Sequence, residues 1–219
     1  MHKVDVFVDF DGTITDRDTF DVLVRHFAGD AAWHATERGL HDGSVALRDV
    51  LQLQASHVRA GFSEVAALLE RFVRVDETFA AFVARCRTLG MAVTVVSSGV
   101  EPLIRLRLAA LGLGDLRIVA NQVDADHAGW HIRFRDHVPN GTDKAALVHE
   151  AREAGATSIF IGDGLSDYAA ALEADYRFAR RGRALERYLR ERGLHFEAFS
   201  SFADITCRLP LARSCLAGT

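Results

Sequence analysis

Two aspartates separated by a single residue follow a short apolar stretch near the start of the sequence. Residues 4–8 have the composition of a buried β-strand, and Asp9 and Asp11 come directly after it, ahead of Gly12. On an extended backbone their carboxylates lie about 6–7 Å apart and repel each other. A divalent cation is the simplest partner for such a pair. Alternatively, one aspartate caps a turn before Gly12 and the other is solvated.

Three later stretches carry residues suited to binding a phosphate group or a cation. An apolar strand ends in hydroxyl residues, a lysine stands in a polar stretch, and another apolar strand ends in two carboxylates four residues apart. In order, these residues are Ser97, Ser98 and Gly99, then Lys144, then Asp163 and Asp167. Because ligands bind at the carboxyl ends of the strands in open α/β sheets, we expect them to share one site.

This order of motifs resembles that of the haloacid dehalogenase superfamily, whose four motifs occur in the same succession. The resemblance implies that Asp9 attacks phosphorus and forms a phospho-aspartyl intermediate, with Mg²⁺ neutralising charge. It implies that Mg²⁺ is bound by Asp9, the Asp11 backbone carbonyl and Asp163, while Asp167 holds a metal-bound water or orients the site. Asp11 is expected to protonate the leaving alkoxide and then activate water, which favours a phosphatase over a dehalogenase.

The same resemblance assigns the phosphate-binding groups. Ser97 corresponds to a hydroxyl that hydrogen-bonds a phosphoryl oxygen, and the Ser98 and Gly99 amides assist at a helix start. Ser98 stands where related sequences often carry glycine. Lys144 is expected to pair with Asp9 and the phosphate and to stabilise charge in the transition state. Without the resemblance, Lys144 would be interpreted as an exposed residue in the first turn of a helix.

The pattern of apolar residues predicts two kinds of architecture in one chain. No strand pattern occurs between residues 16 and 75, where four short helices are interrupted near residues 29, 43 and 61. From residue 76 helices and strands alternate, which indicates a parallel sheet covered on both faces, and residues 123–134 predict a β-hairpin. We therefore predict a Rossmann-like α/β core of residues 1–15 and 76–219. Residues 16–75 would be a small helical cap domain inserted after the first strand.

The insertion is similar to the helical cap of phosphoserine-phosphatase-like members of the superfamily. Within these, the sequence most resembles the 2-hydroxy-3-keto-5-methylthiopentenyl-1-phosphate phosphatases of methionine salvage. The residues that carry this resemblance are 9–15, 161–170, 174–175 and 178–180. It implies a phosphatase of that substrate, with phosphoserine phosphatase or a phosphoserine-type phosphotransferase as the alternatives.

Two residues of the insertion are candidates for contacting the substrate. Asp18 occupies the position at which phosphoserine phosphatases carry a glutamate that contacts the amino group. Arg48 lies near the position of an arginine that contacts the carboxylate of phosphoserine. For Asp18, capping of a helix N-terminus is the alternative to substrate contact.

Composition and charge exclude several other classes of protein. The chain has 219 residues and a formal net charge of −4, and its densest basic run, residues 180–183, is interpreted as a solvated helix start rather than a nucleic-acid footprint. It has no apolar stretch of the roughly 20 residues that a membrane span requires, and no secretory signal pattern. We expect a cytoplasmic monomer or homodimer whose partner is a small phosphorylated metabolite. A non-catalytic binding protein on the same fold is the alternative of a different class, and the complete motif set argues against it.

Overall fold

The computed structural model describes residues 3–41 and 43–216, which are organised around a seven-stranded sheet. The strands are β1 (Val4–Val8), β2 (Met91–Val100), β3 (Arg117–Asp124), β4 (His131–Arg133), β5 (Thr157–Gly162), β6 (Tyr176–Arg180) and β7 (Glu197–Phe199). Their spatial order is β4-β3-β2-β1-β5-β6-β7, and adjacent strands are parallel except for β3 and β4. β1 therefore lies at the centre of the sheet, where both of its faces are covered, and this explains its nearly continuous apolar sequence.

Between β1 and the rest of the sheet the chain forms α1 (Thr19–His41), α2 (Leu47–Ser56) and α3 (Phe62–Phe72). The sequence pattern predicts four helices here, and α1 consists of two helical segments that meet at Gly29, whose φ of 82° and ψ of 168° are not helical. Glycine adopts a positive φ with little strain, so the first helical segment ends at this residue and the second begins after it, as the sequence pattern predicts. The three helices share a buried apolar cluster that includes Phe20, Leu51 and Leu69.

Six further helices cover the described sheet on its two faces. They are α4 (Phe79–Thr88), α5 (Glu101–Ala109), α6 (Lys144–Glu153), α7 (Tyr168–Glu173), α8 (Ala184–Glu191) and α9 (Phe202–Leu216). On one face Phe79 and Phe82 pack with Phe202, and on the other α6 contributes Leu147 and Val148. The prediction of a parallel sheet sandwiched by helices is confirmed. Within the described residues, no helix combines the length and the apolar character needed to cross a membrane.

The chain enters and leaves the α1–α3 segment at adjacent points. Thr15 and Val75 form an isolated antiparallel bridge, and the Asp16 N–H donates to the Arg74 carbonyl at 3.0 Å. The Arg74 N–H in turn donates to the Asp16 carboxylate at 2.9 Å. The division into a core and an inserted cap at residues 15 and 75 stays a prediction. Residues 1, 2, 42 and 217–219 of the predicted ranges lie outside the described residues.

β3 and β4 form the hairpin that the sequence predicts, with Gln122 opposite Arg133. The indole N–H of Trp130 donates to the Ala60 carbonyl at 2.8 Å, and its ring belongs to the apolar cluster of α1–α3. The hairpin therefore packs against the helical segment as well as extending the sheet.

Candidate active site

The first aspartate of the motif extends the central strand. Asp9 follows β1 directly, and its N–H donates to the Ile161 carbonyl of β5 at 2.9 Å, which continues the parallel pairing by one residue. Gly12 then turns the chain with a φ of 75°, and a side chain at this position would overlap the Asp163 carboxylate. Because glycine has no side chain and adopts this φ readily, the turn lies against the residue that follows β5.

Lys144 connects the first and last motifs. It is the first residue of α6 and is only 2% exposed. Its Nζ lies 2.6 Å from Asp9 Oδ1 and 2.7 Å from Asp167 Oδ1, and it donates a third hydrogen bond to Ser166 Oγ at 3.1 Å. Burial alone lowers the pKa of the Lys144 ammonium, but the adjacent Asp167 and Asp9 carboxylates raise it above its ordinary value. Lys144 is therefore a buried cation whose three N–H donors are all used.

Three carboxylates meet at the carboxyl ends of β1 and β5. Asp9, Asp163 and Asp167 each place one oxygen within 4.8 Å of the others. Burial, and then the Asp167 charge, raises the pKa of Asp9 well above its ordinary value, while Lys144 opposes the shift. Burial, and then Asp167, raises the pKa of Asp163 to about 7. The Lys144 ammonium contacts Asp9 and Asp167, and the Arg183 guanidinium lies 3.7 Å from Asp163. Two cations face three carboxylates, so ionised oxygen donors are in excess, and such a donor set fits Mg²⁺.

Contacts around the carboxylates fix their orientation. Asp167 Oδ2 accepts the N–H groups of Asp163 and Gly164, both at 2.9 Å, so this carboxylate holds the turn after β5. Thr13 Oγ1 donates to Asp163 Oδ1 at 3.3 Å, and Arg183 Nε lies 3.7 Å from Asp163 Oδ2. Asp163 is thus held between a hydroxyl and a guanidinium.

Sequence reasoning did not identify Thr13, Ser166 or Arg183 as residues of the site. Thr13 and Ser166 lie within two residues of a predicted site residue, and this proximity in the sequence could have identified them as members of the site. Arg183 belongs to the basic run that the sequence favours as a solvated helix start. Its position just after β6 could have identified it as a site residue, because the carboxyl ends of parallel strands lie at one edge of a sheet.

Asp11 is anchored to the start of the helical segment. Its Oδ1 accepts the N–H of Thr19 at 2.9 Å, and its carboxylate is not part of the three-carboxylate cluster. Burial raises the pKa of Asp11, while the hydrogen bond from Thr19 opposes that shift. A Cβ at Gly99 would lie 2.8 Å from Asp11 Oδ2. The absence of a side chain at Gly99 therefore allows Asp11 to approach the end of β2.

The hydroxyl residues lie at the end of β2. Ser97 Oγ accepts the N–H of Gly99 at 2.9 Å, and the Ser98 carbonyl accepts a hydrogen bond from Asn121 Nδ2 at 2.7 Å. The Ser98 hydroxyl is buried and has no hydrogen-bond partner among the described residues. An unsatisfied buried hydroxyl costs about 1–3 kcal/mol, so this group is suited to meeting a polar atom of a ligand.

A cavity of about 520 Å³ lies between this edge of the sheet and the helical segment. The sheet side contributes Asp9, Asp11, Ser97, Ser98, Gly99 and Asp163, and the helices contribute Asp18, Asp21, Glu37, Leu40, Leu47 and Leu51. Lys144 and Asp167 are not in its lining, and they contact the site from behind it. The structure therefore brings most of the predicted site residues to one cavity, whose volume suits a small phosphorylated molecule.

The two predicted cap residues are placed differently. Asp18 lines the cavity, and its Oδ1 accepts the N–H groups of Phe20 and Asp21 at 2.8 and 3.1 Å, as the N-cap of a helix does. Arg48 is not among the lining residues, and its guanidinium lies 4.7 Å from the ring centre of Phe134. The structure therefore does not bring Arg48 to the cavity.

Comparisons with known proteins agree with this geometry. The family model of the haloacid dehalogenase-like hydrolases matches residues 6–172. Pdp3-interacting factor 1 of Schizosaccharomyces pombe is 32% identical over 91% of this chain and 92% of its own. A polyol phosphate phosphatase of Saccharomyces cerevisiae is 31% identical over 94% and 92%. A 2-hydroxy-3-keto-5-methylthiopentenyl-1-phosphate phosphatase of Brevibacillus brevis is 28% identical over 93% of each chain.

The same fold is present among solved structures. A substrate-bound phosphoserine phosphatase superposes with a TM-score of 0.73 and 17% identity, covering 94% of this chain and 97% of that one. Together with the relatives, this likeness supports the prediction of a phosphatase with a phosphoserine-phosphatase-like fold. Because the family model spans most of the sequence and the two yeast relatives exceed 30% identity over nine-tenths of it, the chain belongs to the haloacid dehalogenase-like hydrolases.

Proposed function

We propose that the protein is a Mg²⁺-dependent phosphomonoesterase that hydrolyses a small phosphorylated metabolite through a phospho-aspartyl intermediate on Asp9. The observation that carries the proposal is the buried 2.6 Å contact between Lys144 and Asp9, which lies beside two further carboxylates at the edge of a small-molecule cavity. The names of two relatives, both phosphatases, support the same reaction.

Asp9 is the group that we assign as the nucleophile. Its Oδ1 is held by Lys144, which leaves Oδ2 for attack on phosphorus from the lining of the cavity. The bond from Asp9 to phosphorus forms while the bond from phosphorus to the leaving oxygen breaks. The Lys144 ammonium stays protonated, because the adjacent carboxylates raise its pKa, and its charge stabilises the negative charge of the transition state.

Asp11 is the group that we assign to proton transfer. Burial raises its pKa, so its carboxyl keeps a proton nearer to neutral pH than a solvated aspartate does. In the first step Asp11 gives this proton to the leaving alkoxide. In the second step its carboxylate takes a proton from water, which attacks phosphorus and releases phosphate and the Asp9 carboxylate. The hydrogen bond from Thr19 keeps the carboxyl in a fixed orientation through both steps.

We propose Mg²⁺ as the cofactor, held by Asp9, Asp163 and the Asp11 carbonyl, with Asp167 behind them. When bound, it neutralises charge on the phosphate and the carboxylates, so that one anion can approach another. The excess of negative charge in the three-carboxylate cluster supports this assignment.

Ser97, Ser98 and Gly99 are proposed to bind the phosphoryl group. All three line the cavity at the end of β2, close to Asp11. The unpartnered hydroxyl of Ser98 supports a contact with a ligand oxygen.

Residues 16–75 are proposed to form a cap that closes over the substrate. Two observations support a cap over the site: the chain enters and leaves this segment at adjacent points, and the helices of the segment form one wall of the cavity. The hydrogen bond between Thr19 and Asp11 joins the cap to the proposed acid. Closure would therefore position the acid and exclude water in one movement.

The substrate proposed first is 2-hydroxy-3-keto-5-methylthiopentenyl-1-phosphate, which several relatives hydrolyse according to their names. That molecule is polar next to its phosphate and apolar at its thioether end. Asp18 near the sheet edge and Leu40, Leu47 and Leu51 on the helices match this polarity. The second candidate is a polyol phosphate, the substrate given in the name of the Saccharomyces cerevisiae relative. Like the first candidate, it is polar next to its phosphate.

Phosphoserine hydrolysis and phosphoserine-type transfer remain the alternative activities. The phosphoserine interpretation uses Asp18 for the amino group and Arg48 for the carboxylate, and the position of Arg48 beside Phe134 weighs against the second contact. A non-catalytic binding role is the alternative of a different class. The intact set of Asp9, Asp11, Lys144 and Asp163 weighs against it.

The experiment that tests the proposal is phosphate release from a panel of phosphate esters, with Mg²⁺ and with EDTA. Turnover should require Mg²⁺ and should fall by at least ~10⁴-fold in Asp9→Asn, because the nucleophile is lost. Asp5→Asn, a change of the same type in β1 at an aspartate paired with Lys3, is the control and should keep most activity. Phosphate release by Asp9→Asn at the native rate would refute the mechanism.

A further inference from the structure

The end of β2 departs from regular pairing at the residues proposed to bind the phosphoryl group. Val96 lies opposite Val119 of β3. Four residues later, Val100 lies opposite Asn121, which is only two residues further along β3. The irregular stretch, residues 97–99, is called the β2 bulge below. Because a bulge interrupts the ladder between two strands, its backbone groups need other hydrogen-bond partners.

Two side chains supply these partners to a single peptide unit of the bulge. The Gly99 N–H donates to Ser97 Oγ at 2.9 Å, and Asn121 Nδ2 donates to the Ser98 carbonyl at 2.7 Å. Because the Ser98 carbonyl and the Gly99 N–H belong to one planar unit, the two hydrogen bonds fix it from opposite sides. Ser97 Oγ uses a lone pair for Gly99 and keeps its own proton for a phosphoryl oxygen.

The Asn121 side chain contacts the bulge from outside the cavity. It is 0% exposed and is not among the residues that line the cavity. Its Oδ1 accepts the Arg135 N–H at 3.0 Å and the Thr142 hydroxyl at 3.4 Å. The carbonyl of the buried Thr142 in turn accepts the Lys144 N–H at 3.1 Å. Asn121 therefore joins the bulge to the segment after β4 and to the turn before α6.

The hairpin that leads to Arg135 is itself held by α2. Gln52 Oε1 accepts the Ile132 N–H of β4 at 2.9 Å, and Gln52 Nε2 donates to the Trp130 carbonyl at 3.5 Å. Trp130 and Ile132 are at most 2% exposed. A continuous set of contacts thus runs from α2 through β4 to Asn121 and the β2 bulge.

From these contacts we infer that Asn121 is a positioning residue, which fixes the β2 bulge and the Ser97 hydroxyl against the hairpin that α2 holds. A carboxamide is suited to this place, because it presents an acceptor to a backbone N–H and a donor to a backbone carbonyl. The inference rests on the proposed function and adds a residue that orders its phosphate-binding groups without contacting the substrate.

The first experiment measures inorganic phosphate as a competitive inhibitor of p-nitrophenyl phosphate hydrolysis with Mg²⁺. In Asn121→Ala, the Ki for phosphate and the KM for the ester should each rise by about tenfold, which corresponds to the loss of one ordering hydrogen bond. The kcat should change less, because contacts with phosphoryl oxygens are made in the bound substrate and in the transition state alike.

A second variant keeps the test decisive if Asn121→Ala does not fold. Asn121→Asp has the same shape and retains an acceptor for the Arg135 N–H. Its ionised carboxylate has no proton to donate to the Ser98 carbonyl, so it removes the contact with the bulge and keeps the contact with the hairpin. It should weaken phosphate binding as Asn121→Ala does.

Ser158→Ala is the matched control. Ser158 is also 0% exposed, and its hydroxyl donates to Asp175 Oδ2 at 2.8 Å. It lies in β5 opposite Asp5, at the end of the strands away from the site. Thermal unfolding should show a loss of stability in Ser158→Ala as in Asn121→Ala, but the Ki for phosphate should stay at its wild-type value in the control.

Gln52→Ala tests the link to α2. On its own it should raise the Ki for phosphate by about threefold, and it should add nothing when combined with Asn121→Ala, because both substitutions break one set of contacts. Additive effects of the two substitutions would overturn the link through Asn121.

The outcomes distinguish failure of the inference from failure of the proposed function. If the wild-type protein hydrolyses no ester with Mg²⁺, p-nitrophenyl phosphate included, the proposed function fails and the inference fails with it. If the wild-type protein is active and the Asn121 variants bind phosphate as tightly as Ser158→Ala does, only the inference is overturned.

Discussion

The two walls of the cavity are held in place by different means. On the sheet side, Asp9, Lys144 and Asp167 are at most 4% exposed and are joined by contacts of 2.6–2.7 Å. On the helical side, Asp18 is exposed to the cavity and Asp21 is half-buried, and each is fixed through one carboxylate oxygen. The side chains on the sheet side are held rigidly, as expected of groups that take part in the reaction. On the helical side, carboxylate oxygens remain available to accept hydrogen bonds from a substrate.

From this contrast we expect that rate and substrate selectivity can be changed by substitutions at different places in this protein. Substitutions at the sheet edge should reduce turnover of every ester and also alter stability. Substitutions on the helical wall should change the ranking of esters. Asp11 joins the two sides, since it follows β1 and accepts a hydrogen bond from the first residue of α1.

The largest expected effect comes from removing the buried ammonium. Lys144→Gln leaves Asp9 and Asp167 as adjacent buried carboxylates, and breaking such a pair destabilises a protein by about 3–5 kcal/mol. Thermal unfolding in EDTA should show this loss, together with loss of phosphate release in Mg²⁺. Lys3→Gln is the control, because Lys3 is 62% exposed and its pair with Asp5 contributes at most about 1 kcal/mol. Equal stability of the two variants would contradict the central place given to Lys144.

The next effect separates the two proton transfers assigned to Asp11. In Asp11→Asn, hydrolysis of an alkyl phosphate should fall by about 10²–10⁴-fold, since the leaving alkoxide lacks its proton donor. p-Nitrophenolate leaves without a proton, so its release should show a rapid first turnover followed by slow hydrolysis of the phospho-enzyme. Stopped-flow absorbance measures both phases. An equal loss for both esters, without a burst, would remove the acid role.

A smaller effect follows from the raised pKa of Asp163. Burial, and then Asp167, raises it to about 7, from about 3.9 for a solvated aspartate. In the metal-free protein, protonated Asp163 therefore contributes stability that is complete below about pH 4 and is lost as the pH rises through 7. Mg²⁺ requires the ionised carboxylate, so the increase in Tm that it causes should grow between pH 5 and pH 8. Calorimetry with Mg²⁺ and with EDTA checks this, and a pH-independent increase would contradict it.

The smallest effect is expected at Arg48. Because its guanidinium lies against Phe134 outside the cavity, Arg48→Gln should change kcat/KM by less than about twofold for every ester, phosphoserine included. Steady-state kinetics of the Arg48→Gln and Asp18→Asn variants, measured with the same esters, provide the comparison. A large loss confined to phosphoserine would restore the phosphoserine interpretation and place Arg48 in the site of the working enzyme.

The sheet and its site-bearing edge could be predicted from the sequence because local patterns encode them. A short apolar run followed directly by Asp9 or Asp163 predicts a buried strand, and it also places the carboxylate at the carboxyl end of that strand. Lys144 carried a further signal, since the chain has only two lysines and uses arginine at its other basic positions. Parallel pairing then brings Asp9 and Asp163 together, because β1 and β5 are adjacent strands.

The helical side could be predicted only in outline. Gly29 predicts the break between the two helical segments of α1, but the angle between these segments depends on the packing of α1 against α2. The register of α2 against the cavity is likewise set by tertiary packing, so the spacing of Arg48 from the first motif did not fix its position. The position of Arg183 just after β6 indicates the site-bearing edge of the sheet, but the sequence does not identify Asp163 as its partner, because the two residues belong to different elements.

The most direct test of the account is detection of the covalent intermediate. Enzyme quenched during turnover is treated with borohydride, which reduces an acyl phosphate to an alcohol, and peptides are then analysed by mass spectrometry. The account predicts homoserine at position 9, only when both substrate and Mg²⁺ are present, and more of it in Asp11→Asn when the substrate is p-nitrophenyl phosphate. Phosphate release with Asp9 left unmodified, or modification of a different carboxylate, would contradict the assignment of Asp9 as the nucleophile.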